Sequence, residues 1–300
     1  MFGGAGNDTF IVENIADMVI ESVDEGFDTV NSFINYALTA NVERLSLQGL
    51  ANLSGTGNEL DNVLDGNNGN NHLVAGAGND TLQGKGGADT LEGGTGNDLY
   101  YVDNVGDVVI ELGNQGTDKV SSMISYTLTA NVEQLFLTGI AGLNGTGNAL
   151  NNVIYGNAGS NQLDGGSGND TLNGGAGNDT YLFGFSSGKD LINNTDASNG
   201  NDKVLFDAGI TADQLWLRKI GNDLEVAIVG TANNVRVQNW YVDAAKQVDS
   251  LQLADGKTLL VSEVQTLVSA MAAFAPPPLG QTSLSATQHN ALDSVIAASW

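Results

Sequence analysis

Residues 75–101 read AGAGNDTLQ, GKGGADTLE and GGTGNDLYY when written in nines. Asp80, Asp89 and Asp98 then share one column, and Leu82, Leu91 and Tyr100 share another two places on. Glycine reaches backbone angles that a Cβ forbids, so the first six positions of each row suit a tight, concave turn. Such a turn aims carbonyl oxygens inward, and the Asp adds a carboxylate. Hard oxygen donors on flexible loops are what calcium takes, about six to eight per ion. The last three positions read as a short strand with one apolar side chain turned inside.

Consecutive rows start at Gly57, Gly66, Ala75, Gly84 and Gly93, and again at Gly147, Gly156, Gly165 and Gly174. A single row, Gly3, Gly4, Gly6, Asp8 and Phe10, opens the chain as though it were cut from a longer array. The inward column is Leu64, Leu73, Leu82, Leu91 and Tyr100, then Ile154, Leu163, Leu172 and Tyr181. Burying a Leu contributes about 1.5–3 kcal/mol, whereas ordering each residue costs about 1–2 kcal/mol in backbone entropy. One apolar residue in nine is a thin core. A bound metal, whose binding energy is folding energy, is the expected supplement.

The rows resemble the G-G-x-G-x-D-x-U-x nonapeptide of RTX (haemolysin-type calcium-binding) proteins. The resemblance implies an all-β chain built as a parallel β-roll or β-solenoid, with Ca2+ held in the turns. It implies Asp8, Asp80, Asp89, Asp98, Asp170 and Asp179 as ligands, with the turn glycines Gly76, Gly78, Gly94, Gly96, Gly166, Gly168, Gly175 and Gly177. Asn62, Asn71, Asn152 and Asn161 occupy the Asp column in the opening rows of each block, and Leu60 and Leu150 replace the fourth-position glycine. Those rows are expected to be weak or absent sites. If two rows make one coil, Asp80 lies over Asp98, Asp89 beside Asn71, Asp170 beside Asn152 and Asp179 beside Asn161. Asp80/Asp98 is then the one pairing with a carboxylate in both turns and the best single site. Lys85 departs from the pattern and is expected to weaken the Asp89 row. Turns of the Gly-Asn-Asp type are stable without metal, but that does not explain an in-frame column of them.

Between the blocks lies a different sequence that recurs at an offset of 90 residues, Asn41-Val42-Glu43 falling on Asn131-Val132-Glu133. Ninety is ten nines, so the large repeat keeps the phase of the small one. The stretches at about 12–56 and 102–146 therefore read as longer-turn coils of the same solenoid, with Val19-Ile20, Val30, Ile34, Leu45 and Leu47 as strand positions. The rival reading is an inserted domain that loops out.

From Phe183 the pattern becomes that of antiparallel strands. Gly221-Asn222-Asp223 separates Leu215–Ile220 from Leu224–Val229, a hairpin signal. Val235-Arg236-Val237 alternates, and Ala254-Asp255-Gly256-Lys257 is a second turn. This stretch resembles the haemolysin-type calcium-binding-related domain that follows such repeats, so the expected division is 1–182 repeats, 183–260 related domain and 261–300 helical tail. Trp216, Trp240 and Tyr241 read as core or cap aromatics before they read as a ligand platform. Ser262-x-x-Gln265 reads as a capping box, followed by a stripe of Val264, Leu267, Val268 and Met271. After Pro276-Pro277-Pro278, a last helix presents Ala291, Leu292, Val295 and Ile296. In the resembled family an uncleaved C-terminus addresses type I secretion machinery. A helix that only caps the β-structure fits the same residues.

Ten Lys plus Arg stand against 35 Asp plus Glu, a net charge of −25. No basic footprint is available for nucleic acid, and anionic membrane surfaces are disfavoured. There are no cysteines, which removes disulfides and thiolate chemistry together. The N-terminus MFGGAGNDTF shows no Sec-type signal, and no apolar run is long enough to span a bilayer. His72 and His289 are the two histidines, H-E-x-x-H is absent, and GGSGN at 165–169 belongs to a repeat row, so no enzyme is expected. The expected function is a secreted, extracellular module that folds on Ca2+. The alternative is the C-terminal part of a larger secreted hydrolase or adhesin, with an upstream domain or cell-surface contacts as further partners.

Overall fold

The computed structural model describes residues 1–195 and 200–300. Its chain divides into two compact units, Met1–Ile124 with Leu128–Phe136, and Ser125–Thr127 with Leu137–Trp300. Both are built on parallel β-solenoid coils.

In the first unit successive rows alternate between two sheets. Strand Thr81–Gln83 pairs in parallel with Leu99–Val102, placing Leu82 opposite Tyr100, and strand His72–Ala77 pairs with Thr90–Thr95, placing Leu73 opposite Leu91. Partners lie 18 residues apart, so two rows do make one coil. The longer-turn stretch joins the same ladder: Phe10 is opposite Val30, Val30 opposite Leu45, Leu45 opposite Leu64 and Leu64 opposite Leu82. Five coils of 20, 15, 19, 18 and 18 residues thus carry Phe10 to Tyr100. The 90-residue period is preserved because each inserted turn adds or removes loop without losing strand register. The inserts are coils, and no looped-out domain forms.

Leu64, Leu73, Leu82, Leu91 and Tyr100 are fully buried, as the column predicts, and so are Val19, Val30, Leu45 and Leu47. Ile34 differs from expectation. It lies in the bend after strand Thr29–Ser32 and is only half-buried, because the Ser32 hydroxyl donates to Ile34 O and turns the chain there.

In the second unit Ile154, Leu163, Leu172 and Tyr181 form the same column. Parallel stacking does not stop where the nonapeptide stops. Strand Lys189–Ile192 stacks on Thr171–Asn173, and Lys203–Phe206 stacks on Thr180–Phe183. Asn234–Val237 and Ser250–Gln252 then extend the two stacks. Alternating apolar residues, Tyr181 and Phe183 over Val204 and Phe206, continue the core after the glycines end. Antiparallel pairing begins only with the hairpin Leu215–Ile220/Asp223–Ile228 and with Thr258–Leu260 on Ser250–Gln252.

Two helices follow, α1 at Val261–Met271 and α2 at Ala286–Ser299. Val264, Leu267, Val268 and Met271 face inward as expected, but Leu260 is the N-cap of α1 and no side chain caps it, so the Ser262 capping box does not form. The capping box is instead at α2, where Ser285 and Gln288 satisfy each other's backbone N–H. That register buries Leu292 and Ile296 but leaves Ala291 exposed and Val295 half-buried. Trp216 and Trp240 are buried core residues, while Tyr241 is half-buried with the Lys219 ammonium 4.5 Å from its ring centre.

Candidate metal centres

Each Asp of the column stands directly before a strand, and its side chain reaches back one coil. Asp80 Oδ1 accepts from Asn62 N at 2.6 Å, Asp89 Oδ1 from Asn71 N at 2.7 Å, and Asp98 Oδ1 from Asp80 N at 2.7 Å. In the second unit Asp170 Oδ1 accepts from Asn152 N at 2.7 Å and Asp179 Oδ1 from Asn161 N at 2.8 Å. Every neighbour relation expected from the two-row coil is present. One oxygen of each carboxylate therefore ties two coils together.

The other oxygen is different. Oδ2 of Asp8, Asp80, Asp89, Asp98 and Asp170 is buried and has no hydrogen-bond partner. A buried, unpartnered polar atom costs about 1–3 kcal/mol, and more when charged. The first glycine of a row makes room beside this oxygen: a Cβ on Gly84, Gly93 or Gly165 would overlap Oδ2 of Asp89, Asp98 or Asp170. Gly76, Gly78, Gly94, Gly96, Gly166, Gly168, Gly175 and Gly177 all take positive φ. At Gly94 and Gly96 a Cβ would also collide with the carbonyl oxygens of Gly76 and Gly78 on the coil before. Turns thus stack glycine on glycine, with backbone carbonyls and an unpartnered carboxylate oxygen close together. These are the donors a hard divalent ion takes, and the residues fit it: the column Asp with the carbonyls of its own row and of the stacked row would hold it, and the ion would supply the missing positive charge.

The electrostatics agree. Burial pushes the Asp80 carboxyl up to about 7, against the opposing Asn62 N–H and with the Asp98 charge adding to the rise. Burial likewise pushes Asp89 and Asp170 up to about 6, and raises Asp98.

The Asn rows are closed by their own side chains. Asn62 Oδ1 accepts from Asn58 N, and Asn71 Oδ1 from Asn67 N. The second-position Asn of these rows then reaches into the carbonyls of the preceding coil. Asn58 Nδ2 donates to Thr39 O and Val42 O, Asn67 Nδ2 to Gln48 O and Ala51 O, and Asn157 Nδ2 to Thr138 O and Ala141 O. An amide nitrogen gathers the oxygens that an ion would otherwise gather. Glycine at the second position and Asp at the sixth therefore change together to Asn.

Asp80/Asp98 is not the one pairing with carboxylates in both turns. Asp28, Asp107, Asp118, Asp190 and Asp202 accept from the backbone N of Asp8, Asp89, Asp98, Asp170 and Asp179 respectively, at 2.8–3.0 Å. Sequence reading passed over Asp28, Asp118, Asp190 and Asp202 because coils of 20 or 23 residues shift them out of the nine-residue frame, and over Asp107, which is in frame 18 residues after Asp89, because its row lacks the first, second and fourth glycines. The signal that could have found them is an Asp standing immediately before an alternating apolar strand. Burial, with Asp170 close by, raises Asp190 to about 8. Lys85 takes the second-glycine place with a φ of 63°, a left-handed conformation carried by a residue with a Cβ. Both histidines pair with acidic side chains, His72 with Glu92 at 2.6 Å and His289 with Asp293 at 2.8 Å.

Stacked glycine turns with carboxylate ladders define a calcium-binding-repeat β-solenoid, and comparison with known proteins agrees. The RTX calcium-binding nonapeptide repeat matches residues 1–13, 56–91, 65–100, 74–109 and 146–181, and the haemolysin-type calcium binding protein related domain matches residues 223–262. The chain carries both, and they support its reading as a calcium-binding RTX module. It is 39% identical over 92 residues to the iron-regulated protein FrpA of Neisseria meningitidis serogroup C, covering 29% of this chain and 8% of that protein. It is 37% identical over 69 residues to the endo-1,3-1,4-beta-glycanase ExsH of Rhizobium meliloti strain 1021, covering 23% of this chain and 15% of that protein. The chain therefore spans less than a sixth of the length of either relative. The crystal structure of the extracellular lipase LipA from Serratia marcescens aligns with 75% of this chain and 45% of its own, at 18% identity and a TM-score of 0.26. Among the described residues no helix is long and apolar enough to cross a membrane. Repeats on a β-solenoid fit a non-catalytic structural module.

Proposed function

We propose that this chain is a secreted module whose nonapeptide coils are extended where calcium is micromolar and fold where it is millimolar, and that it supports type I export and structural stability. The observation that carries the reading is the contrast between rows. Asp rows bury unpartnered carboxylate oxygens, whereas Asn rows satisfy themselves. Affinities of about 10⁻⁴–10⁻³ M suit extracellular sites, and coils that touch only their neighbours fold cooperatively. Folding after passage through a type I exporter then holds the chain outside.

The ligands in this reading are Asp8, Asp80, Asp89, Asp98, Asp170 and Asp179 with the glycine carbonyls of their turns. Residues 1–182, 183–260 and 261–300 serve as repeat array, related domain and export-bearing tail. The test is a calcium titration followed by calorimetry and circular dichroism together. β-signal is expected to rise with calcium and to fall on chelation; a spectrum indifferent to chelator counts against the reading. For export, a fusion to a passenger is expected to reach the medium only with residues 261–300 and a type I exporter present, and release without them removes that part. A hydrolase or adhesin upstream is the second reading, favoured by the match to ExsH, which is named as a glycanase.

A further inference from the structure

At two places, 90 residues apart, the coil after a nonapeptide row replaces that row's first glycine with a glutamate. Ile20 bridges Phe2, so Glu21 falls in register with Gly3; Ile110 pairs with Glu92, so Glu111 falls in register with Gly93. At Gly3 the glutamate carboxylate occupies the space that the missing Cβ leaves, whereas at Gly93 that space is taken by the Tyr100 hydroxyl, which holds Glu111, and by Asp98 Oδ2. A Cβ on Gly3 would stand 2.5 Å from Glu21 Oε2 and 2.7 Å from Asp8 Oδ2. The Asp of the next ladder step completes each group, since Asp28 Oδ1 accepts from Asp8 N at 2.8 Å and Asp118 Oδ1 from Asp98 N at 2.9 Å. Three carboxylates thus converge twice, Asp8 with Glu21 and Asp28, and Asp98 with Glu111 and Asp118, and in each group their oxygens lie within 4.8 Å of one another.

These groups are more than acidic clusters. Glu21, Asp28, Asp98 and Glu111 are each at least nine-tenths buried, and Glu21 Oε2, Asp28 Oδ2, Asp98 Oδ2 and Glu111 Oε2 have no hydrogen-bond partner. Each glutamate is also held in place from outside the group. Asn41 Nδ2 donates to Glu21 O at 3.0 Å and Asn131 Nδ2 to Glu111 O at 2.9 Å, both asparagines in left-handed backbone. The Tyr100 hydroxyl donates to Glu111 Oε1, while Phe10 stands at the matching place of the first group. Three carboxylates cannot all stay ionised in a dry space of this size without a cation.

We propose that Asp8/Glu21/Asp28 and Asp98/Glu111/Asp118 are two divalent-cation sites of the calcium class, separate in kind from the glycine-turn sites, tighter than them and filled first. The inference rests on the calcium-binding reading above. Affinity rises with the number of charged ligands and the rigidity of the site, and here three carboxylates replace the column carboxylate and glycine carbonyls of an ordinary row. Because each group joins a nonapeptide row to the first longer-turn coil, its ion staples that coil into the array. The sequence signature is E-x4-G-x-D, Glu21 to Asp28 and Glu111 to Asp118.

The experiment is calcium calorimetry on the metal-stripped full chain, with Glu21→Gln, Glu111→Gln and the double variant. Wild type is expected to show a tight class of two ions and a class at least roughly tenfold weaker. Each single variant is expected to lose one tight ion and the double variant both, the weaker class persisting. Isotherms of the double variant that superpose on wild type overturn the proposal. If the variants fail to fold, terbium decides. Tyrosine-sensitised emission in the first phase of a terbium titration is expected to disappear in Tyr100→Phe, which only reproduces the natural Phe10; unchanged emission overturns the second site. A wild type that binds no ion at all defeats the calcium reading itself, whereas binding that ignores both glutamates defeats only this inference.

Discussion

Asp80 shows why one carboxylate oxygen alone does not make a stable turn. Its Oδ1 supports the coil before, while Oδ2 is buried with no partner. In Asp80→Asn the amide could take a carbonyl of the preceding coil, as Asn71 Nδ2 does with Leu53 O at 3.0 Å. The variant is expected to bind one calcium fewer, yet to be more stable without metal by about 1 kcal/mol, the scale of a relieved unsatisfied group. Calorimetry and chelator-treated urea melts check both, and a metal-free loss of stability contradicts the account. Lys85→Gly is expected to stabilise by about 0.5–1 kcal/mol, since left-handed backbone costs a Cβ-bearing residue about 1–2 kcal/mol and glycine returns part of that as unfolded-state entropy. Titration belongs to this scale too. Asp80 near 7, Asp89 and Asp170 near 6 and Asp190 near 8 all bind protons more tightly in the fold than in the unfolded chain, where carboxyls titrate near about 4. Their metal-free contribution is therefore fully favourable below about pH 4 and lost as pH rises through about 6–8. Stripped protein is expected to melt higher at pH 5 than at pH 8, and calcium-loaded protein to show the opposite order, because protons compete with the ion. Self-repulsion at a net charge of −25 acts in the same direction.

Among the elements, the strands were legible and the turns between them only partly so. Leu82, Leu91 and Tyr100 announce a two-sheet coil because a period of nine, taken twice, returns each side chain to the same face. The hairpin at Gly221-Asn222 and the inward stripe of α1 were equally plain, since local chemistry alone sets them. What stayed hidden depends on three-dimensional stacking. Asp190 and Asp202 continue the ladder after coils of 20 and 23 residues, lengths that only the register of Thr171–Asn173 on Lys189–Ile192 and of Thr180–Phe183 on Lys203–Phe206 makes meaningful. Glu21 and Glu111 were missed for the same reason, because a glutamate in the place of a glycine breaks the motif being searched for. At α2 the competing signal was local: Ser285-x-x-Gln288 caps the helix and fixes a register that buries Leu292 and Ile296 while turning Ala291 outward.

Across the whole molecule two kinds of stabilisation divide the chain. The nonapeptide rows bury one apolar residue in nine, and several of their buried oxygens lack partners. The hairpin Leu215–Ile220/Asp223–Ile228 with α1 is different. Leu215, Leu217, Leu224, Val226 and Ile228 are buried as in an ordinary apolar core, α1 lies against strand Leu215–Ile220 with Val264, Leu267 and Met271 buried, and the buried Glu225 is met by Arg218 at 2.6 Å and Arg236 at 3.1 Å. Burial at about 1.5–3 kcal/mol per large side chain sustains that region without metal, whereas the rows need the ion's binding energy. Hydrogen exchange on chelated protein is therefore expected to collapse over residues 75–101 while 215–237 and α1 stay protected, and added calcium is expected to restore the rows cooperatively, because each coil gains order only against an ordered neighbour. If the rows keep their protection through chelation, the leucine column and its hydrogen bonds suffice alone, and the buried carboxylates must then be protonated rather than metal-bound. The pH series separates those cases, since proton-held rows lose protection as pH rises from about 5 to about 8 and calcium-held rows keep it.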